Sequence, residues 1–189
     1  MKKAVILLAV LVVLCVLVSC RTTETQHTFG DWTVERNLTA FREGLSVRTC
    51  TGCGVKEYEP IRDEKCEYSE DGLVVKRVYD ESDYELYTYR DAHTVDSLYY
   101  NPDGNLEYTS VYEIDDEYNA VTERGYLLTG ELLYYQDYDT AFHVTLGIGY
   151  NTDGTVNWWE GYVYDSDGTL TQTDVYNTDG TFDHTESLN

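Results

Sequence analysis

A tyrosine, a polar four-residue turn closed by glycine, and an apolar residue two places later recur along this chain, and such a unit dictates hairpins. It stands as Tyr150-Asn-Thr-Asp-Gly154-Thr-Val156, Tyr164-Asp-Ser-Asp-Gly168-Thr-Leu170 and Tyr176-Asn-Thr-Asp-Gly180-Thr-Phe182. Earlier copies are Tyr68-Ser-Glu-Asp-Gly72-Leu-Val74 and Tyr100-Asn-Pro-Asp-Gly104-Asn-Leu106. Asn/Asp-x-Asp-Gly suits a type I turn followed by a residue at positive φ, giving a three-residue hairpin loop with a G1 bulge. Gly72, Gly104, Gly154, Gly168 and Gly180 are therefore structural turn residues. In that hairpin the first turn residue pairs with the one after glycine, so Tyr150 should face Val156, Tyr164 should face Leu170, and Tyr176 should face Phe182. Each turn then carries an aromatic–apolar cross-strand pair, the unit that stabilises a sheet.

Between these copies lie weaker turn signals near Asp80 to Asp83, Arg90 to His93, Asp115 to Asn119, Leu128 to Gly130 and Asp137 to Thr140. Alternation supports strands: Phe142, Val144, Leu146, Ile148 and Tyr150 share one face, and His143, Thr145, Gly147 and Gly149 the other. No helical period survives. The expected fold is all-β, an antiparallel meander of about ten hairpin-repeat strands over residues 64–189, preceded by a small β-rich cysteine module. Such a sheet must curl, close or fold over to hide its tyrosine face. The units resemble the degenerate YD-type or MORN-like β-hairpin repeats of bacterial surface proteins, a resemblance that implies scaffolding or recognition surfaces and no catalysis.

The N-terminus bears on location. Met1-Lys2-Lys3 is a charged start, Ala4 to Val18 is nearly unbroken apolar sequence, and Leu17-Val18-Ser19-Cys20 closes it. Residues 1–20 resemble a bacterial lipoprotein signal peptide with its lipobox, which implies lipidation of Cys20, an extracytoplasmic membrane anchor and a short tether over 21–26. The alternatives are an ordinary secretory signal or an uncleaved anchor, although the run is short for a span. Lys2 and Lys3 precede every acid, so the processed chain carries 11 basic against 35 acidic residues. Such a charge argues against nucleic acid, because phosphate binding depends on Lys and Arg. Nineteen tyrosines argue against disorder, since each buries a large ring while keeping its hydroxyl wet.

Residues 27–61 form a second pattern: His27-Thr-Phe-Gly-Asp-Trp32, then Gly44-Leu-Ser-Val-Arg48-Thr-Cys50-Thr-Gly-Cys53-Gly54. This is similar to a short module of surface proteins from gut Clostridia and related Gram-positive bacteria. Many copies of that module carry a further cysteine four residues before the glycine, where this chain has Ala40. Cys50-x-x-Cys53 is the knuckle that tetrahedral zinc prefers, with His27 and Cys66 as further candidate ligands. A Cys50–Cys53 disulfide is the alternative in an oxidising compartment. Trp32 is expected to be the module's core.

Other candidate chemistry is sparse. Asp165-Ser-Asp167-Gly168 invites a calcium loop, but position twelve, which needs a bidentate Glu, is Tyr176. Trp158 and Trp159 are candidate ligand-binding residues, able to stack on sugar rings, and the competing role for both is packing. His27, His93, His143 and His184 lack nucleophile or metal spacing, and no catalytic motif is present. The expected function is a non-catalytic binding or scaffolding surface, with a glycan or an envelope protein as partner. A carbohydrate-binding module and an envelope hydrolase are the alternatives; the hydrolase would require carboxylates of raised pKa in a cleft.

Overall fold

The computed structural model describes residues 27–79 and 82–188. The 1–20 leader, Cys20 and the 21–26 tether lie outside the described residues, as do Asp80 and Glu81 of one weak turn. The described chain is all-β. β1 (Thr33–Arg36), β2 (Gly44–Thr49) and β3 (Lys56–Ile61) form a three-stranded sheet. β4 (Cys66–Tyr68), β5 (Val74–Val78), β6 (Tyr84–Tyr89), β7 (Thr94–Tyr100), β8 (Leu106–Ile114), β9 (Ala120–Leu127), β10 (Leu132–Tyr138), β11 (Val144–Tyr150), β12 (Val156–Tyr164), β13 (Leu170–Tyr176) and β14 (Phe182–Ser187) follow. These eleven strands form one antiparallel meander in chain order, with β4 and β14 at its edges.

The turn chemistry sets the register. Tyr150 pairs with Val156, Tyr164 with Leu170, and Tyr176 with Phe182, while the earlier copies pair Tyr68 with Val74 and Tyr100 with Leu106. Every such pair sits at a register shift, as a G1 bulge requires. Gly154 has φ 80° and donates its N–H to the Asn151 carbonyl at 2.9 Å.

The weak turn at Leu128 to Gly130 keeps a glycine at φ 97°, whereas two others use the same geometry without one. Tyr118 (φ 68°) and Phe142 (φ 65°) occupy the glycine position, and each donates its N–H to the first turn residue, Asp115 or Asp139. The Asp115 and Asp139 side chains also accept the backbone N–H groups two and four residues on, which tightens both loops. Phe142 therefore belongs to a turn at 139–143, not to the strand face, and the turn expected at Asp137 to Thr140 lies two residues later because β10 runs on to Tyr138. Packing offsets the backbone strain: the Phe142 ring stacks on Tyr138 at 4.8 Å and meets Phe41 at 6.4 Å.

The chain forms two compact units, 27–33 with 47–58 and 34–46 with 59–188 over the described residues. In the larger unit, compactness groups residues 34–46 with the repeats. Phe41, only 1% exposed, is central to the core, edge-on to Tyr87 at 5.4 Å and to Tyr112 at 5.0 Å. Ala40, Val74, Val95, Ile114 and Ala120 complete it. The backbone holds this segment in place: Val74 N–H donates to the Phe41 carbonyl at 2.9 Å, and the Tyr89 hydroxyl lies 2.8 Å from the same carbonyl.

The large sheet curls. β5 and the β10–β11 turn are five strand steps apart, about 24 Å in a flat sheet. The Arg77 guanidinium of β5 nevertheless lies 5.4 Å over the Phe142 ring. Curling buries one face of β6 to β10, and that face carries the principal candidate site.

Candidate functional site

The inner face of β6 to β10 reads off the register as parallel rows. One row runs Tyr87, Ser97, Ser110, Gly125, Tyr134; a neighbouring row runs Glu85, Tyr99, Tyr108. The small residues of the first row leave room above the sheet. Gly125 is required there, because a Cβ would overlap the Tyr134 ring lying across it. The result is a concavity of about 520 Å³ lined by Tyr79, Tyr99, Tyr108, Tyr112, Tyr134 and Tyr138, with Glu85, Glu123 and Gln136 as its main polar groups and Phe142 and Val144 at its margin.

Both glutamates are buried, Glu85 at 2% and Glu123 at 3% exposure. A buried carboxylate needs partners. Glu85 receives four hydroxyls: Tyr79 and Tyr87 donate to Oε2, each at 2.7 Å, and Ser97 and Tyr112 donate to Oε1 at 2.5 and 3.2 Å. Its acceptor sites are full. Glu123 receives two, from Tyr134 to Oε1 and from Tyr138 to Oε2, with Ser110 supporting Tyr134 at 3.0 Å. Ser110 also bonds Glu123, which still receives fewer hydroxyls than Glu85.

The electrostatics follow from burial. Desolvation first, and then the Glu85 charge, raise the Glu123 carboxyl above its ordinary 4.5. Desolvation first, and then one or both of these carboxylates, push the hydroxyls of Tyr79, Tyr108, Tyr112, Tyr134 and Tyr138 well up. Tyr99, on the cavity rim, is pushed up to about 12 by burial and by its bond to Asp83. At neutral pH these phenols stay protonated and serve as donors. No basic side chain lines the cavity among the described residues. A second concavity of about 490 Å³, whose lining includes Glu35, Arg36, Arg42, Asp116 and Glu117, mixes both signs of charge and lacks this convergence of aromatic rings on a buried acid.

Trp158 and Trp159 lie outside this cavity. Both are half-buried, and each covers glycine: Trp158 lies across Gly147 and Gly149 of β11, and Trp159 over Gly180 while tilted against Tyr176 at 5.9 Å. The mid-strand glycines of β11 thus accommodate a tryptophan on the next strand.

In the smaller unit His27, Cys50 and Cys53 come together, their ligand atoms all within 4.8 Å of one another. The Cys53 Sγ to His27 Nδ1 distance is 3.5 Å. The knuckle is built by Gly54, whose φ of 74° lets its N–H turn back to the Cys50 carbonyl at 2.9 Å, and by Cys50 N–H donating to the Val55 carbonyl at 2.8 Å. The His27 hydrogen bond, followed by the backbone N–H groups of Gly52 and Cys53, pulls the Cys50 thiol down to about 6. Cys50 and Cys66 are in no disulfide. Cys66 belongs to the larger unit, where its thiol faces Asp63 at 3.8 Å and packs at the core's edge. Trp32 is not this unit's core. It is 40% exposed, and the Arg48 guanidinium sits 4.7 Å from its ring and 4.7 Å from that of Phe29.

Sequence reasoning did not single out Glu85 and Glu123. For Glu85 the signal was present: it alternates with Tyr87 and Tyr89 along β6, so a buried tyrosine face carries the acid inward. No protein-family model matches the chain, and no curated protein is significantly similar to it.

Proposed function

We propose that this protein is a membrane-anchored extracytoplasmic lipoprotein whose curled β-sheet is a non-catalytic binding module, and that its ligand is a small organic cation held in the tyrosine cavity. One observation carries the reading: Glu123 is a buried carboxylate that receives fewer hydroxyls than Glu85 and faces a cavity lined by aromatic rings and no basic side chain. Aromatic faces attract cations, and the attraction strengthens when water is excluded. A ligand N–H would complete Glu123 and neutralise it. The acidity of the whole chain, at net −22, would concentrate cations around the protein.

Hydrolysis is less well supported, although a cleft with a raised carboxyl is what such an enzyme needs. Two-carboxylate chemistry requires a second acid free to act, and Glu85 is saturated by four hydroxyls. The membrane anchor rests on the Leu17-Val18-Ser19-Cys20 pattern.

Calorimetric titration of the full-length protein in detergent with spermidine, choline and lysine amide, and in parallel with soluble glycan fragments, tests the reading. The expected result is saturable binding of at least one cation that weakens with added salt and is lost in Glu123→Gln but kept in Trp158→Ala. Glycan binding lost in Trp158→Ala or Trp159→Ala, with no cation bound, would transfer the function to the tryptophans and overturn the cavity assignment.

A further inference from the structure

We propose that His27, Cys50 and Cys53 bind one zinc ion, and that this ion is the staple of the smaller unit. The inference is independent of the cavity and rests on three observations.

The first is geometry. Tetrahedral zinc with nitrogen at about 2.0–2.1 Å and sulfur at about 2.3 Å separates those two ligands by about 3.5 Å. Cys53 Sγ and His27 Nδ1 stand 3.5 Å apart, with Cys50 Sγ in the same cluster. The second is construction. Two turn hydrogen bonds and the positive φ of Gly54 hold both sulfurs on one knuckle. The imidazole is brought over by the segment that follows it: the Phe29–Cys50 bridge, with Thr51 N–H donating to the Thr28 carbonyl at 2.9 Å, fixes the residues just after His27 against the knuckle. Phe29 lies 5.7 Å from the His27 ring. The third is need. Among the described residues of this unit only Val47 and Cys50 are buried hydrophobics, and a unit with so little core requires a metal, a disulfide or a partner to be stable.

Both sulfurs bind as thiolates, any proton still held on them passing to solvent as the Zn–S bonds form, with no change of oxidation state. His27 and Cys53 are exposed whereas Cys50 is buried, and no fourth side chain joins them among the described residues. Cys66, in the other unit with Asp63 as its neighbour, is not a ligand.

The test is cobalt titration of the full-length protein, purified in detergent under reducing, anaerobic conditions. The expected result is one equivalent of cobalt with a thiolate-to-metal charge-transfer band, displaced by zinc. That band is lost in Cys50→Ser and Cys53→Ser, weakened in His27→Ala, and unchanged in Cys66→Ser. Because a ligand variant may unfold the small unit, the wild-type protein gives a second readout: zinc should protect Cys50 and Cys53, and not Cys66, from alkylation in peptide mass spectra. Absence of the band in reduced wild-type protein, its persistence in Cys50→Ser, or alkylation of Cys50 and Cys53 at the same rate with and without zinc would each overturn the site. So would isolation of a Cys50–Cys53 disulfide that takes up no metal after reduction.

Discussion

The sheet has two stretches that differ in kind. From β11 to β14 the tyrosine/Asp-Gly unit is nearly perfect, the hairpins close on themselves, and the strands are half-buried or, in β14, wholly exposed. Around β6 to β10 the unit is kept at Gly104 and in part at Gly130, but before β6, before β9 and after β10 glycine gives way to Ser82, Tyr118 and Phe142 at positive φ, and here lie the core and the buried glutamates. The contrast shows what the repeat is for. Its consensus residues satisfy local needs, so they can recur wherever a hairpin is wanted. Its departures are imposed by long-range contacts, so they mark where the sheet folds on itself. Phe41 and Arg42 make this concrete: the Phe41 ring meets that of Phe142, and the Arg42 guanidinium lies 4.9 Å over Tyr118. One non-repeat segment therefore touches two of the non-glycine turns.

The contrast can be broken most severely at Phe41. Phe41→Ala should cost about 3–5 kcal/mol in denaturant unfolding, since the ring is buried and the cavity cannot collapse without moving two turns. A loss as small as that for a residue of β14 would remove the distinction between the stretches. The next largest effect tests the buried acid. The folded-state pKa of Glu123 is raised, so its contribution to stability is fully present below the unfolded value of about 4.5 and is lost as pH rises through the folded value. Glu123→Gln should therefore gain on the wild type as pH rises from acid to neutral, and the stability difference between them, followed by thermal unfolding across that range, should slope accordingly. A flat difference would mean that Glu123 is not held in a desolvated site.

Smaller effects separate the two turn types. Gly154→Ala forces a Cβ into φ 80° and should destabilise by about 1–2 kcal/mol. Tyr118→Gly relieves the same strain but removes the Arg42 contact, each worth about 1 kcal/mol, so its midpoint should move little. Equal losses at the two positions would show that packing does not offset strain in the weak turns.

The hairpins were legible because they are local. Asn/Asp-x-Asp-Gly fixes its own hydrogen bonds within five residues, so strand order, antiparallel pairing and the pairs Tyr150–Val156, Tyr164–Leu170 and Tyr176–Phe182 follow from sequence alone. The Cys50-x-x-Cys53 knuckle was legible for the same reason. That the sheet must curl, close or fold over was legible from its tyrosine face; how it curls was not, because that depends on which distant strands share a core. Only the folded chain brings Arg77 over Phe142, seats Phe41 among the rings of three strand regions, and leaves Cys66 against Asp63 while His27 joins Cys50 and Cys53. The identity of the buried acids belongs to the same class: a glutamate in a chain with 35 acidic residues is ordinary until the sheet curls and removes its water, and then its partners decide what it can bind.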